Sequence, residues 1–284
     1  MGPHMTAGPG SVDPGRGSRV GGRYRSVVRS VATIGVATVV LLPGGPVQAR
    51  ANQNSLEQLD RGIQIPNLST QSVPAPSRKG GTYTARLLIG TAVRRRPGRP
   101  GTVWFARTWT KWSGSGQRLM VLGSRYARGQ TWLKIRLPIR PNGTSGWIPR
   151  DRVQLSHTNR FILVDTSRRQ LRVYRKGKVV VRHRVVVGAP STPTPTGLFA
   201  LHDRIKQSDP GGFVGTWTVP LTAHSNKLRR YDGGPGLVAF HGRAGASLSD
   251  PLGSARSHGC VRMNNSRIAY MAKAMMGTAV KIRR

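Results

Sequence analysis

Cysteine is almost missing from this chain. Cys260 is the only one in 284 residues, so no disulfide can close within the chain. A lone thiol is an inert buried filler, half of an intermolecular bridge, or a working group. Acids are the second shortage: nine Asp and Glu stand against 46 Lys and Arg, a net charge of +37 at pH 7. No Glu follows Glu57, and Asp151, Asp165, Asp203, Asp209, Asp232 and Asp250 are scattered. Hydrolysis by two carboxylates needs a pair with separated roles, and the sequence nominates none. Also missing are a Gly-x-Ser-x-Gly nucleophile elbow and a Gly-Lys-Ser/Thr phosphate loop. A long hydrophobic run is absent too. The apolar stretch from Val31 to Leu42 falls well short of the roughly 20 residues that span a bilayer as a helix.

What is present has an order. Residues 1–22 are rich in Gly, Pro and Ser without periodicity, and the first five could include a cloning remnant. Arg23, Arg25 and Arg29 precede the Val31–Leu42 run, and small residues follow around Ala49 and Ala51. Positive, apolar and small-x-small regions in that order predict a secretory signal peptide within 1–51. An uncleaved anchor is the alternative, and would be the chain's only membrane contact. Export argues against nucleic acid as partner of the basic surface and leaves anionic wall polymers. Residues 52–81, with Pro66, Pro74 and Pro76, are expected to be a linker.

Residues 82–155 read as a small β-barrel, with strands at Ala85–Ile89, Val103–Ala106, Arg118–Leu122, Thr131–Leu137 and Gly146–Pro149. Five of the six tryptophans fall here (Trp104, Trp109, Trp112, Trp132 and Trp147) and are expected to fill its core. The succession Ala92-Val93-Arg94, Trp132-Leu133-Lys134-Ile135, Gly146-Trp147-Ile148 resembles bacterial SH3-like domains, which implies a wall-binding module or a spacer.

A second β-rich domain is expected over 158–284. Strands are predicted at Phe161–Val164, Leu171–Arg175, Val179–Val187, Leu198–Ile205, Leu237–Phe240 and Ala279–Ile282, with a hairpin turn at Lys176-Gly177. Ile268, Met271, Ala272 and Met275 recur at helical spacing after the capping residues Asn264-Asn265-Ser266, predicting one short helix closed by Gly277.

The chemistry concentrates between His241 and Arg262. If Ser257–Val261 is extended, His258 and Cys260 share a face, which makes His258 a candidate base, with His241 the rival from another strand. The helix N-terminus near Asn264 would favour a thiolate, and Gly259 could bring backbone N–H groups to an oxyanion. Zinc ligation by His241, His258 and Cys260 would supply only three ligands at a spacing unlike structural zinc sites. Ser257 reads as a hydrogen-bonding support.

His241-Gly242, a spacer through Arg256, and Ser257-His258-Gly259-Cys260-Val261-Arg262 together resemble the signature of the L,D-transpeptidase catalytic domain family. Ile162–Asp165 with Leu171–Tyr174, and Gly188–Gly197 with its Thr-Pro-Thr-Pro-Thr-Gly ending, resemble that family's opening strands and loop. The resemblance implies a mainly β protein, an SH3-like barrel followed by a transpeptidase-type β-sandwich with one short helix. It also implies an exported wall or periplasmic enzyme without cofactor or metal that acts on peptidoglycan stem peptides. It would form 3→3 cross-links through a Cys260 thioester. His241 would be the base, oriented by the Gly242 carbonyl, with His258 and Gly259 at the oxyanion site and Arg262 meeting a substrate carboxylate. Tyr231 and Trp217 are expected over the cleft. An L,D-carboxypeptidase with the same residues, and a non-catalytic basic wall-binding protein, remain as alternatives.

Overall fold

A computed structural model describes residues 72–231 and 233–284. The expected signal peptide within 1–51, and residues 52–71 of the expected linker, lie outside the described residues. Among the described residues no helix is long and apolar enough to cross a membrane.

Residues 72–81, expected to finish a free linker, are instead fastened to the fold. The Val73 N–H donates to Ser124 Oγ at 2.7 Å, and the Gly177 N–H donates to the Arg78 carbonyl at 2.8 Å. The Arg78 guanidinium lies 5.1 Å from the Tyr174 ring centre, close enough for cation–π attraction. Gly81, at φ +69°, sits so close to Thr158 that a Cβ would meet its carbonyl at 2.1 Å.

The first sheet comprises β1 (Thr82–Leu87), β2 (Thr91–Arg94), β3 (Thr102–Ala106), β4 (Arg118–Ala127), β5 (Gln130–Arg136), β6 (Ser145–Pro149) and β7 (Val153–Thr158). Its order is β3-β2-β6-β5-β4-β1-β7. β4 runs further than the sequence pattern suggests, because Arg128 and Gly129, both at positive φ, form the tight turn that a two-residue hairpin requires. The core here is aliphatic: Leu119, Leu133, Ile135 and Ile148 are wholly buried. The tryptophans do not fill it as expected. Only Trp132 is buried, while Trp109 and Trp112 are exposed, because the aliphatic faces of the strands already close the interior.

β7 pairs with β1 along its full length, Thr82 opposite Thr158, and the next strand begins after a single residue. The second part comprises β8 (Arg160–Asp165), β9 (Gln170–Arg175), β10 (Lys178–Arg184), β11 (Val187–Gly188), β12 (Gly197–Ala200), β13 (Ile205–Lys206), β14 (Trp217–His224), β15 (Leu237–His241), β16 (Ala255–Ser257), β17 (Val261–Arg262), α1 (Asn265–Ala272) and β18 (Ala279–Arg283). A five-stranded sheet, β10-β9-β8-β18-β12, packs against a four-stranded sheet, β13-β14-β15-β17, and β11 pairs with β16. Lys176 and Gly177 turn the β9–β10 hairpin at φ 50° and 81°, as the sequence predicts.

Strand alternation explains the layering. Ile162 and Val164 of β8 join Val219, Leu221, Phe240, Val261 and the α1 residues Ile268 and Met271 in one core. Phe161 and Leu163, on the opposite face of β8, join Tyr174, Ala279 and Met120 of β4 in another. β8 is therefore covered on both sides, and its near-continuous apolar sequence follows from that. The second cluster is shared by both halves of the described chain.

Several expected elements differ. The expected strand 179–187 stops at Arg184, where Val185, Val186 and Val187 all turn inward. The expected strand 198–205 is two strands, β12 and β13. The helix ends at Ala272, short of Gly277. β14 was not expected, because Pro220 interrupts its pattern: proline supplies no ladder donor. β14 accommodates it with a register shift between Pro220 and His224, and the Pro220 carbonyl accepts the His202 N–H at 2.8 Å.

Candidate active site

The site is built on one face of a parallel strand pair. β15 and β17 pair with Phe240 opposite Val261 and His241 opposite Arg262. Alternation then sends Val238, Phe240 and Val261 into the core and leaves Ala239, His241, Cys260 and Arg262 on the other face. Those four line a cavity of about 780 Å³ together with Thr218 and Pro220 of β14. Phe213, Tyr231, Leu237, His258 and Trp112 complete much of the rim.

His241 is 4% exposed, and its Nδ1 lies 2.8 Å from the Gly242 carbonyl oxygen. A carbonyl only accepts, so Nδ1 carries the proton and Nε2 the lone pair. Burial lowers the imidazole pKa to about 4, against the Gly242 hydrogen bond and with the Arg262 charge adding to the depression. Burial raises the Cys260 thiol above its ordinary value, opposed by the Ala239 N–H beside the sulfur and by the Arg262 charge. Cys260 keeps part of its surface open although its surroundings are desolvating. The resting pair near neutral pH is thus a neutral thiol and a neutral imidazole. The thiolate expected from the helix N-terminus does not prevail, because desolvation outweighs the charges that favour it.

The segment holding Cys260 is not extended. β16 ends at Ser257, and Gly259 at φ +122° turns the chain before β17. The spacing argument that paired His258 with Cys260 therefore fails, although both line the cavity. His258 is exposed, its Nδ1 3.4 Å from the Tyr231 hydroxyl and its ring 5.2 Å from the Tyr231 ring. Ser257 Oγ donates to the Cys260 carbonyl at 2.6 Å and accepts the Gly259 N–H at 3.1 Å. The Gly259 amide, expected to face an oxyanion, is thus already engaged. Thr192 Oγ1 donates to the Ser257 carbonyl at 3.1 Å. Thr194 Oγ1 donates to the Gly259 carbonyl at 2.9 Å and accepts the Gly188 N–H at 2.8 Å. The proline-rich loop acts as a brace for this turn.

Arg262 is 3% exposed. Its Nη1 is ion-paired with Asp250, its guanidinium lies 4.7 Å from the Phe213 ring centre, and its Nε has no protein partner. The carboxylate it meets in this structure belongs to Asp250. Trp217 does not reach the cleft. It has the parity of Val219 and Leu221 and packs against the core, while Thr218 faces the cavity; Trp112, from the loop between β3 and β4, supplies the indole there.

Sequence reasoning also missed Asn265. Read as a capping residue, it instead receives the Thr216 N–H at 3.2 Å and the Arg243 N–H at 3.3 Å through Oδ1. A Cβ on Gly215 or on Gly242 would strike that oxygen at 2.1 Å. Asn265 therefore fixes the backbone around Gly242, whose carbonyl holds His241. Among the described residues no three His, Cys, Asp or Glu side chains gather as a metal-ligand set.

A buried histidine oriented by its neighbour's carbonyl, one thiol and a braced glycine turn agree with the family resemblance. Residues 159–282 match the YkuD family, the L,D-transpeptidase catalytic domain. The YkuD protein of Bacillus licheniformis is 30% identical over 122 residues, covering 43% of this chain and 64% of the relative. That of Bacillus subtilis (strain 168) is 28% identical over 124 residues, covering 43% and 65%. The chain thus spans somewhat under two thirds of each relative's length. Among solved structures, an L,D-transpeptidase from Mycobacterium smegmatis is 16% identical over 76% of this chain and 98% of its own, with a TM-score of 0.35. The catalytic domain of an Enterococcus faecium L,D-transpeptidase is 22% identical over 45% of this chain and 100% of its own, with a TM-score of 0.31.

Proposed function

We propose that the chain is an exported, cysteine-dependent L,D-transpeptidase that joins peptidoglycan stem peptides by 3→3 cross-links. The observation that carries this reading is the shared face of β15 and β17, where Cys260 and the oriented His241 line one cleft. His241 Nε2 takes the thiol proton as sulfur attacks the carbonyl of the third stem residue. The imidazolium then protonates the departing amine, releasing D-alanine and leaving a thioester. The side-chain amine of a second stem attacks the thioester, gives up a proton through the same imidazole, and restores the thiol. The high thiol pKa and low imidazole pKa suit proton transfer in step with attack, since a standing ion pair would be costly in the desolvated cleft. The basic surface would help hold the protein to anionic wall polymers, which extraction of cells with rising salt checks by earlier release at higher ionic strength.

Purified protein incubated with a disaccharide-tetrapeptide and followed by mass spectrometry tests the reaction. A cross-linked dimer with loss of D-alanine supports transpeptidation. Tripeptide alone would reassign the enzyme as a carboxypeptidase, and no product from protein with reduced Cys260 would end the enzymatic reading.

A further inference from the structure

Beside the cleft lies a second cavity of about 1020 Å³, for which the proposed chemistry has no use. Its wall comes from both halves of the described chain, and it shares Trp112, Pro235 and Leu237 with the cleft. Three properties of that wall converge.

The first is aromatic. Trp104, Phe105, Trp109 and Trp112 line the cavity, in a chain only 6% aromatic. Phe105, Trp109 and Trp112 remain 56%, 45% and 39% exposed. Large rings left open to water beside a concavity mark a surface that something covers.

The second is charge. Arg107, Lys111, Arg140 and Arg229 line the same cavity, and none of the described wall residues is acidic. The Arg107 guanidinium lies 5.0 Å from the Trp109 ring centre. Arg140 is held by the carbonyls of Ser225, Leu228 and Pro235 rather than by a carboxylate. None of these four cations is in an ion pair among the described residues.

The third is unmet polarity. Gln117, His202 and His224 belong to the wall and are at most 5% exposed. Gln117 Nε2, His202 Nδ1 and His224 Nδ1 have no hydrogen-bond partner. Buried polar atoms are normally paired, and three unpaired ones around one cavity leave hydrogen-bonding capacity in its wall. Burial keeps both imidazoles neutral, each with a pKa of about 4, so each can offer one donor and one acceptor.

We propose that this cavity binds an acidic saccharide. Sugar rings would lie against Trp109 and Trp112, hydroxyls would meet Gln117, His202 and His224, and carboxylate or phosphate groups would meet Arg107, Lys111 and Arg229. Aromatic and cationic groups also suit single-stranded nucleic acid; the preference for a saccharide rests on the extracytoplasmic setting proposed above.

Isothermal titration of the full chain with tetragalacturonate tests this, with chitotetraose as the neutral sugar and a four-nucleotide single-stranded DNA as the other anion. The expected result is 1:1 binding of tetragalacturonate that weakens at least tenfold in Trp109→Ala and in Arg107→Ala. Cys260→Ala, and Arg182→Ala at an exposed position of β10, should bind as the parent does. Equal affinity for chitotetraose would overturn the acidic requirement, and equal or tighter binding of the oligonucleotide would overturn the saccharide. Unchanged binding in Trp109→Ala, or equal weakening in Arg182→Ala, would reduce the effect to net charge. The readout is binding, so a catalytically silent protein can still pass, and an active one can still fail.

Discussion

At the scale of residues, the centre of the molecule is a thiol whose burial works against its own ionisation. Alkylation of Cys260 by iodoacetamide should rise with pH around a midpoint above that of a free thiol, since the thiolate is the reacting form. Asp250→Asn would leave the buried Arg262 without its counter-charge. Its unshielded charge should move that midpoint down, while loss of the ion pair costs about 3–5 kcal/mol of stability in urea denaturation. His241→Ala should slow thioester formation about 10²–10⁴-fold, the usual contribution of a general base. His258→Ala should stay within about tenfold of the parent, because exposed His258 contacts Tyr231 rather than Cys260. Carbapenem adducts seen by mass spectrometry should vanish in Cys260→Ala; their persistence would mean that the nucleophile is misassigned.

At the scale of elements, the sequence pattern carried the strands whose apolar residues alternate or run together, and it carried the Lys176-Gly177 turn. It did not carry β14, because Pro220 breaks the strand signal and only pairing with β13 and β15 makes the segment extended. The direction of Trp217 is hidden in the sequence for the same reason: without the strand no parity shows that its indole turns to the core. Cys260, His241 and Gly242 fall within one short signature, which is what makes them candidates from the sequence. Asn265, Asp250, Thr194 and Trp112 were not, since each acts through contacts made only after folding. Asn265 offers a direct check. Asn265→Ala removes the acceptor for the Thr216 and Arg243 N–H groups, frees the backbone at Gly242, and should reduce acylation about 10²-fold, the order expected for a displacement near 1 Å. A flattened pH profile with little change in thermal midpoint would separate positioning from simple destabilisation.

At the scale of the molecule, the two β-rich parts share a core in which Met120 of β4 meets Phe161, Leu163 and Tyr174. Polar links join them as well: Ser113 Oγ donates to Asp203 at 2.5 Å, and Asn142 exchanges hydrogen bonds with His224. Residues 72–284 should therefore melt in one calorimetric transition, and a chain beginning at residue 158 should expose Phe161 and Leu163 and aggregate. Acid should unfold the protein early. His202, His224 and His241 each have a pKa lowered from 6.5 to about 4 by burial. Between those values the unfolded chain takes up protons that the folded chain refuses, so stability falls as pH drops through the window. The loss is roughly 3 kcal/mol per histidine at most, and thermal melts from pH 7 to pH 4 should follow it. The shared core has one further consequence. With the halves packed through one core, the distance from the cleft to the neighbouring cavity is set by packing, so a ligand that occupied both would have to match a single span, as an object must match a caliper.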